Sequence, residues 1–160
     1  MKILITAGTT GLAHKLKRLL DKGDVFVFAD QEDMPAFVSN YRFIRIPPGD
    51  SFSFAHELLK CCLDQEIDYV FPLRKAEIKS LAEAVQLFEE YGIKVVIPAK
   101  ETLPDLMPIQ PVKGFLTVVI NGSIYAAESN EAAVLPDRIH NGVIVINAEN
   151  KNDHSIFTAD

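Results

Sequence analysis

Short apolar runs alternate with segments of helical periodicity over the first 97 residues of the chain. Continuous apolar runs of four to six residues are typical of strands covered on both faces. The runs predict strands at Lys2–Thr6, Val25–Ala29, Tyr69–Leu73 and Lys94–Ile97, and the imperfect alternation of Tyr41–Ile46 predicts a fifth, edge strand. Apolar residues spaced three and four apart between these runs predict helices over 12–22, 33–40, 51–65 and 75–91.

Strict alternation of strands and helices is typical of a parallel sheet with right-handed crossovers. The sequence therefore predicts an α/β fold, a Rossmann-like parallel sheet of about five strands with helices on both faces. The simplest strand order for such a unit is 3-2-1-4-5.

The pattern changes after residue 100. Pro104, Pro108 and Pro111 indicate a linker, and Asn121-Gly122 separates two strand-like runs, as expected for a type I′ hairpin turn. A further strand is predicted over 143–146. We predict a Rossmann-like domain over 1–107 and a small antiparallel β extension or arm over 108–160.

Charge and composition narrow the classes of partner. The chain has 22 acidic and 16 basic residues, and the resulting charge of −6 argues against binding to nucleic acid or to an anionic membrane. Its apolar stretches are far shorter than the roughly 20 residues that span a bilayer. Adjacent Cys61 and Cys62 suit a reducing compartment, and the four histidines have no metal-ligand spacing. We predict a cytoplasmic protein that binds small molecules or proteins and holds no metal.

The first strand leads into a loop of small residues, Gly8, Thr9, Thr10 and Gly11. Such a loop can aim backbone N–H groups at an anion, and the following helix N-terminus favours negative charge. Thr6 replaces the first glycine of the dinucleotide fingerprint G-x-G-x-x-G, so a phosphate or nucleotide fits better than intact NAD(P). Alternatively, the two glycines only allow the backbone conformations of a tight turn between the strand and the helix.

Charged residues follow two other predicted strands and should face the same crevice. Asp30 could hold a ribose hydroxyl or stand as a solvated acid at a strand end. Arg74, Lys75 and Glu77 follow the fourth strand, where two cations would suit a phosphate or a carboxylate. Alternatively, they begin the next helix on its solvent side, with Glu77 favoured by the helix dipole.

No catalytic residue is predicted. The sequence has no G-x-S-x-G elbow and no P-loop, and none of its four tyrosines is followed by a lysine four residues later. The acid and base of a short-chain reductase are therefore missing.

Five segments in order match a known family pattern: Ile3-Leu4-Ile5-Thr6-Ala7-Gly8, Phe28-Ala29-Asp30, Ile46-Pro47-Pro48-Gly49-Asp50, Ile67 to Leu73 with Glu77, and Gly92 to Pro98 with Glu101-Thr102-Leu103. Together they resemble the pre-ATP-grasp N-terminal domain of ATP-grasp ligases of the carbamoyl phosphate synthase and biotin carboxylase type. The resemblance implies a domain that frames an active site at the carboxyl ends of its strands. It also implies ATP-grasp domains that bind ATP and magnesium and join a carboxylate to an amine or thiol.

About 60 residues follow the resemblance, and they show no glycine-rich phosphate flap. We therefore expect a stand-alone pre-ATP-grasp-like domain that binds a nucleotide, phosphate or small carboxylate, as an accessory to a separate ATP-grasp subunit or as a non-catalytic remnant. One alternative is an NAD(P)-binding protein of the nucleotide-sugar epimerase or reductase type. Another is a structural homo-oligomer formed through the β arm.

Overall fold

The computed structural model of the chain describes residues 1–34, 41–107, 113–130, 135 and 137–160. These residues form two compact units, Met1–Val95 with Thr158–Asp160, and Val96–Phe157. Most of the helix predicted over 33–40 lies outside the described residues.

A five-stranded parallel sheet forms the first unit. Its strands are β1 (Lys2–Ile5), β2 (Val25–Asp30), β3 (Arg42–Arg45), β4 (Tyr69–Phe71) and β5 (Lys94–Val95). They lie in the order β3-β2-β1-β4-β5, with every neighbouring pair parallel. The predicted α/β fold and strand order are confirmed.

In the described part of this unit, four helices flank the sheet: α1 (Gly11–Leu20), α2 (Phe54–Asp64), α3 (Lys75–Ala82) and α4 (Val85–Glu90). The single helix predicted over 75–91 is wrong in one respect, because it is divided into α3 and α4. The N–H groups of Glu83 and Ala84 donate to carbonyls three residues back, which tightens the end of α3 into a turn. No helix in the described ranges is both long and apolar enough to cross a membrane.

The core of the first unit is built from its central strands and from one face of each helix. Ile3, Leu4 and Ile5 of β1 are buried on both faces of the sheet, as their continuous apolar run predicts. Four aromatic side chains are also fully buried, Phe28, Phe54, Phe71 and Phe88. Burying a phenylalanine contributes about 1.5–3 kcal/mol, so these rings are major contributors to the stability of the sheet.

The second unit contains a four-stranded antiparallel sheet. Its elements are a 3-10 turn (Lys100–Thr102), α5 (Leu103–Leu106), β6 (Gly114–Ile120), β7 (Ser123–Ala127), β8 (Gly142–Asn147) and β9 (His154–Ile156), with strand order β7-β6-β8-β9. Asn121 and Gly122 both have positive φ, at 52° and 76°, which confirms the predicted hairpin between β6 and β7. Strand β9, with only three residues, has no readable sequence pattern.

Gly49 lies in the segment between β3 and α2 and packs directly on the first turn of α3. A Cβ atom at this position would lie 2.4 Å from the Glu77 nitrogen and 2.7 Å from the Ala76 carbonyl carbon. Both obstacles are backbone atoms, which cannot rotate away. Glycine is therefore required here for a close approach that fixes the start of α3.

We expect Gly49→Ala to lower the free energy of unfolding by about 2 kcal/mol or more, because the added methyl group overlaps helix backbone. Urea denaturation measures the change. Gly11→Ala is the matched control, since a Cβ there meets no atom within 4 Å and should leave stability nearly unchanged. Equal stability of the two variants would contradict the close packing of Gly49 on α3.

Candidate functional site

The loop between β1 and α1 directs three of its backbone N–H groups into the protein. Gly8 donates to the Ala29 carbonyl at 3.0 Å, Thr10 donates to the Ala7 carbonyl at 2.9 Å, and Thr9 donates to the Asp30 carboxylate at 3.0 Å. We expected these amides to face a ligand. Instead they make the loop a rigid turn that is bonded to the end of β2.

The two glycines of the loop have different surroundings. Gly8 is buried, and a Cβ there would lie 2.7 Å from Cβ of Phe28, so the residue is needed for packing against β2. Gly11 is exposed at the first position of α1. Thr10 caps that helix, because its hydroxyl accepts from the Ala13 N–H at 3.3 Å. Gly11 therefore lies on the side of the loop that faces solvent.

Asp30 is the acid that the loop binds. Its side chain is fully buried, and one oxygen accepts from the Thr9 hydroxyl at 2.6 Å as well as from the Thr9 N–H. The other oxygen accepts from the Gln31 N–H and from Arg74 Nη2, each at 2.8 Å. Burial alone would raise the pKa of Asp30, but the bonds from Thr9 and the Arg74 guanidinium together hold its pKa below the ordinary value.

Arg74 follows β4 and occupies the N-cap position of α3. Because β1 lies between β2 and β4, its guanidinium reaches across the end of β1 to Asp30. The side chain is 16% exposed, and its Nε is buried with no hydrogen-bond partner among the described residues. Nη1 has no partner within those ranges either. Arg74 is thus anchored through one nitrogen and has donors left for another acceptor.

Glu77 occupies the third position of α3 and is fully buried. Its Oε2 accepts from the Thr6 hydroxyl at 2.5 Å and from the Arg74 N–H at 3.2 Å, which satisfies one donor at the start of the helix. The Leu73 N–H donates to the same Thr6 hydroxyl at 2.8 Å, so the hydroxyl hydrogen is directed at Glu77. Burial raises the pKa of Glu77 to about 6.

These contacts form one continuous group, which we call the edge network: Thr9, Asp30, Arg74, Glu77 and Thr6. It spans the carboxyl ends of β2, β1 and β4, where ligands bind in open α/β sheets. The structure thus brings together Thr9, Asp30, Arg74 and Glu77 from the predicted candidates. Their ligand-binding role stays a prediction.

Two residues at this edge were not among the sequence candidates. Thr6 was considered only as the residue that replaces a fingerprint glycine, although a hydroxyl at the end of a buried strand needs a polar partner. Asp160 accepts from the Lys75 N–H at 2.9 Å, and the neighbouring Ala159 N–H donates to the Leu73 carbonyl at 2.6 Å. No sequence signal places Asp160 beside α3, since 85 residues separate it from Lys75.

An open depression of about 870 Å³ lies beside the start of α3. Its charged and aromatic lining residues are Asp50, Phe52, His56, Lys75, Lys79, Glu83 and Asp160. Charges of both signs line it, so the depression favours no particular ligand charge. Within the described ranges, no three His, Cys, Asp or Glu side chains come together in a way that could hold a metal ion.

Glu77 makes stability depend on pH in a defined window. Its pKa is 4.5 when unperturbed and about 6 in the folded protein, so the folded state binds the proton more tightly between these values. The free energy of unfolding should therefore fall by about 1.3 kcal/mol as pH rises from 4.5 to 6, and by about 2 kcal/mol over the whole titration. Glu77→Gln cannot titrate and should remove this part of the slope.

Urea denaturation at pH 4.5, 5.5 and 6.5 tests this expectation. Glu90→Gln, at an exposed position of α4, is the control and should keep the wild-type slope. The lowered pKa of Asp30 acts at more acidic pH, where its stabilising contribution is lost as pH falls, and does not interfere. The same slope in wild type and Glu77→Gln would show that Glu77 does not titrate in this window.

Comparison with known proteins identifies the family. A family model described as the PylC-like, N-terminal domain matches residues 3–96. Comparison with curated proteins finds no match. Among solved structures, a short chain dehydrogenase family protein from Francisella tularensis subsp. tularensis SCHU S4 is similar at 16% identity, with a TM-score of 0.37. The match covers 61% of this chain and 48% of that chain, about half of its length. On the match over residues 3–96, which confirms the predicted resemblance, the chain belongs to the PylC-like N-terminal domain family and carries a pre-ATP-grasp-like domain of the ATP-grasp ligases.

Proposed function

We propose that this pre-ATP-grasp-like domain binds a phosphate, a nucleotide or a small carboxylate at the edge network, and presents it to ATP-grasp catalytic domains. The observation that carries the proposal is Arg74, a cation fixed at the carboxyl ends of the strands that still has unused donors. Family membership supports the position, because a pre-ATP-grasp domain frames its active site at that edge.

The guanidinium of Arg74 suits an anion with two or more oxygens. Its Nε–H is buried without an acceptor in the described part of the chain, and an unsatisfied buried donor costs about 1–3 kcal/mol. A carboxylate or phosphate can approach the exposed part of the side chain, which is 16% accessible. Guanidinium donors form a planar fork that matches the geometry of both groups. Lys75, half-buried at the next position, adds a second cation.

The loop contributes to the proposed site indirectly. Because the Gly8, Thr9 and Thr10 N–H groups bond within the protein, the ligand is better placed beside Arg74 than inside the loop. We propose that Thr9 and Asp30 hold Arg74 in place. Gly11 lies on the solvent-exposed side of the loop. This assignment favours a phosphate or carboxylate over a dinucleotide that needs the loop amides.

The family and the described residues support the proposed accessory role. ATP-grasp ligases activate a carboxylate as an acyl phosphate with ATP and magnesium. We assign no magnesium ligand to this chain, since no metal-binding cluster forms in its described ranges. We therefore propose that the catalytic ATP-grasp domains belong to another chain or to a further part of the ligase.

Ligand binding is tested by thermal shift and calorimetry with ATP, ADP, phosphate, bicarbonate, amino acids and NAD(P). A ligand at one hundred times its dissociation constant should stabilise the wild type by about 2.7 kcal/mol. Arg74→Gln should weaken binding at least about tenfold, because it removes a charge-assisted hydrogen bond. It also leaves Asp30 as an unpaired buried charge, so the variant is destabilised.

The double variant Asp30→Asn with Arg74→Gln separates folding from binding. It removes both charges of the pair, so it should regain stability while binding stays weak. Arg42→Gln, an equal change of charge at an exposed position near the start of β3, should bind as the wild type does. Failure of all the ligands to bind, or undiminished binding by the folded double variant, would rule out Arg74 as the anion site.

A further inference from the structure

Glu77 and Asp30 hold Arg74 from two sides. Glu77 accepts from its backbone N–H at 3.2 Å, and Asp30 accepts from its guanidinium at 2.8 Å. The Thr6 hydroxyl ties Glu77 to the end of β1. Glu77 therefore holds the backbone from which the Arg74 side chain extends, while Asp30 holds its guanidinium.

The charge of the edge network is unbalanced when both acids are ionised. Asp30 and Glu77 then face one guanidinium, and Thr6 and Gly49, which pack on Glu77 from neighbouring segments, carry no charge. Glu77 also has one oxygen, Oε1, that is buried with no donor among the described residues. Asp30, in contrast, receives donors on both oxygens. When a further negative charge arrives at this edge, we therefore expect Glu77, rather than Asp30, to take up a proton.

We infer that Glu77 is a positioning residue for Arg74, and that an anion which binds at Arg74 does so together with a proton taken up by Glu77. The inference rests on the proposed function. A neutral Glu77 still accepts the Arg74 N–H through its carbonyl oxygen, so the guanidinium keeps its position while the repulsion of the incoming anion is removed.

The groups around Glu77 bring its pKa to a value at which it can exchange a proton near neutral pH. Burial raises its pKa to about 6, the Thr6 hydroxyl and Arg74 lower it, and the charge of Asp30 raises it. A bound anion acts in the same direction as Asp30. Binding should therefore raise the pKa of Glu77 further, and by reciprocity protonation of Glu77 should strengthen binding of the anion.

Sulfate is the probe for the test, because it keeps its charge between pH 5.5 and 7.5. Calorimetry should show that the affinity of the wild type for sulfate falls about 2.5-fold or more across this range, the change expected if binding raises the pKa of Glu77 by about 0.5 or more. Titration in two buffers with different heats of ionisation should show proton uptake. Glu77→Gln should bind sulfate with little dependence on pH and no proton uptake.

Three further measurements separate this coupling from other titrations. His56 lines the same depression as Lys75, so His56→Gln is the matched control and should keep the dependence on pH. Carbon-13 NMR of the Glu77 carboxyl group, with and without sulfate, should show the rise in its pKa directly. Thr6→Val should also shift this titration, because it removes the hydroxyl that stabilises the ionised form.

The outcomes distinguish the two proposals. If sulfate binds and Arg74→Gln weakens it, but Glu77→Gln keeps the wild-type dependence on pH, the proposed function stands and the coupling to Glu77 is refuted. If Glu77 titrates identically with and without bound sulfate, the coupling is also refuted. Absence of binding by sulfate and by every ligand of the screen overturns both.

Discussion

The buried ion pair between Asp30 and Arg74 holds the carboxyl edge of the parallel sheet together. Taking both charges out of water costs several kcal/mol per ion, and the pair is tolerated only because further hydrogen bonds complete it. Thr9 and the Gln31 N–H supply those bonds at Asp30. Loss of either partner would leave an uncompensated charge. The end of β2, the loop before α1 and the start of α3 are therefore joined as one unit.

The two acids of the edge network show how the same burial gives opposite pKa shifts. Asp30 accepts hydrogen bonds on both oxygens and contacts the guanidinium directly, so its pKa is lowered. Glu77 accepts on one oxygen only, and burial prevails, so its pKa rises to about 6. The number of donors at each carboxyl group decides which acid stays charged and which can exchange a proton near neutral pH. Arg74 consequently has one permanent partner and one whose charge can vary.

The sequence predicts most of the fold but only part of the site, for identifiable reasons. Period and turn chemistry are local, and they suffice for the alternating elements and for the Asn121-Gly122 hairpin, while the connection rules of parallel α/β folds supply the strand order. The break between α3 and α4 has no glycine or proline to mark it. Gly49 was part of the family resemblance, but its packing on α3 depends on contacts between distant segments. The strand ends that should converge were predictable from the parallel topology, whereas the hydrogen-bond partners of each side chain were not.

The glycine-containing loop shows most clearly why the hydrogen-bond partners could not be predicted from the sequence. Its composition predicts backbone N–H groups that can donate to a bound phosphate. The same N–H groups can donate to a carboxylate of the protein itself when one lies close to the loop. Asp30, 21 residues after Thr9, provides that carboxylate from within the chain. An internal anion makes the loop rigid, and the proposed function therefore places the ligand beside the residue that pairs with this anion, Arg74. If Arg74 binds an anion as proposed, a cation held in place by a buried acid would lose little conformational freedom when the anion arrives, which would suit a domain that positions a group for chemistry carried out by other domains.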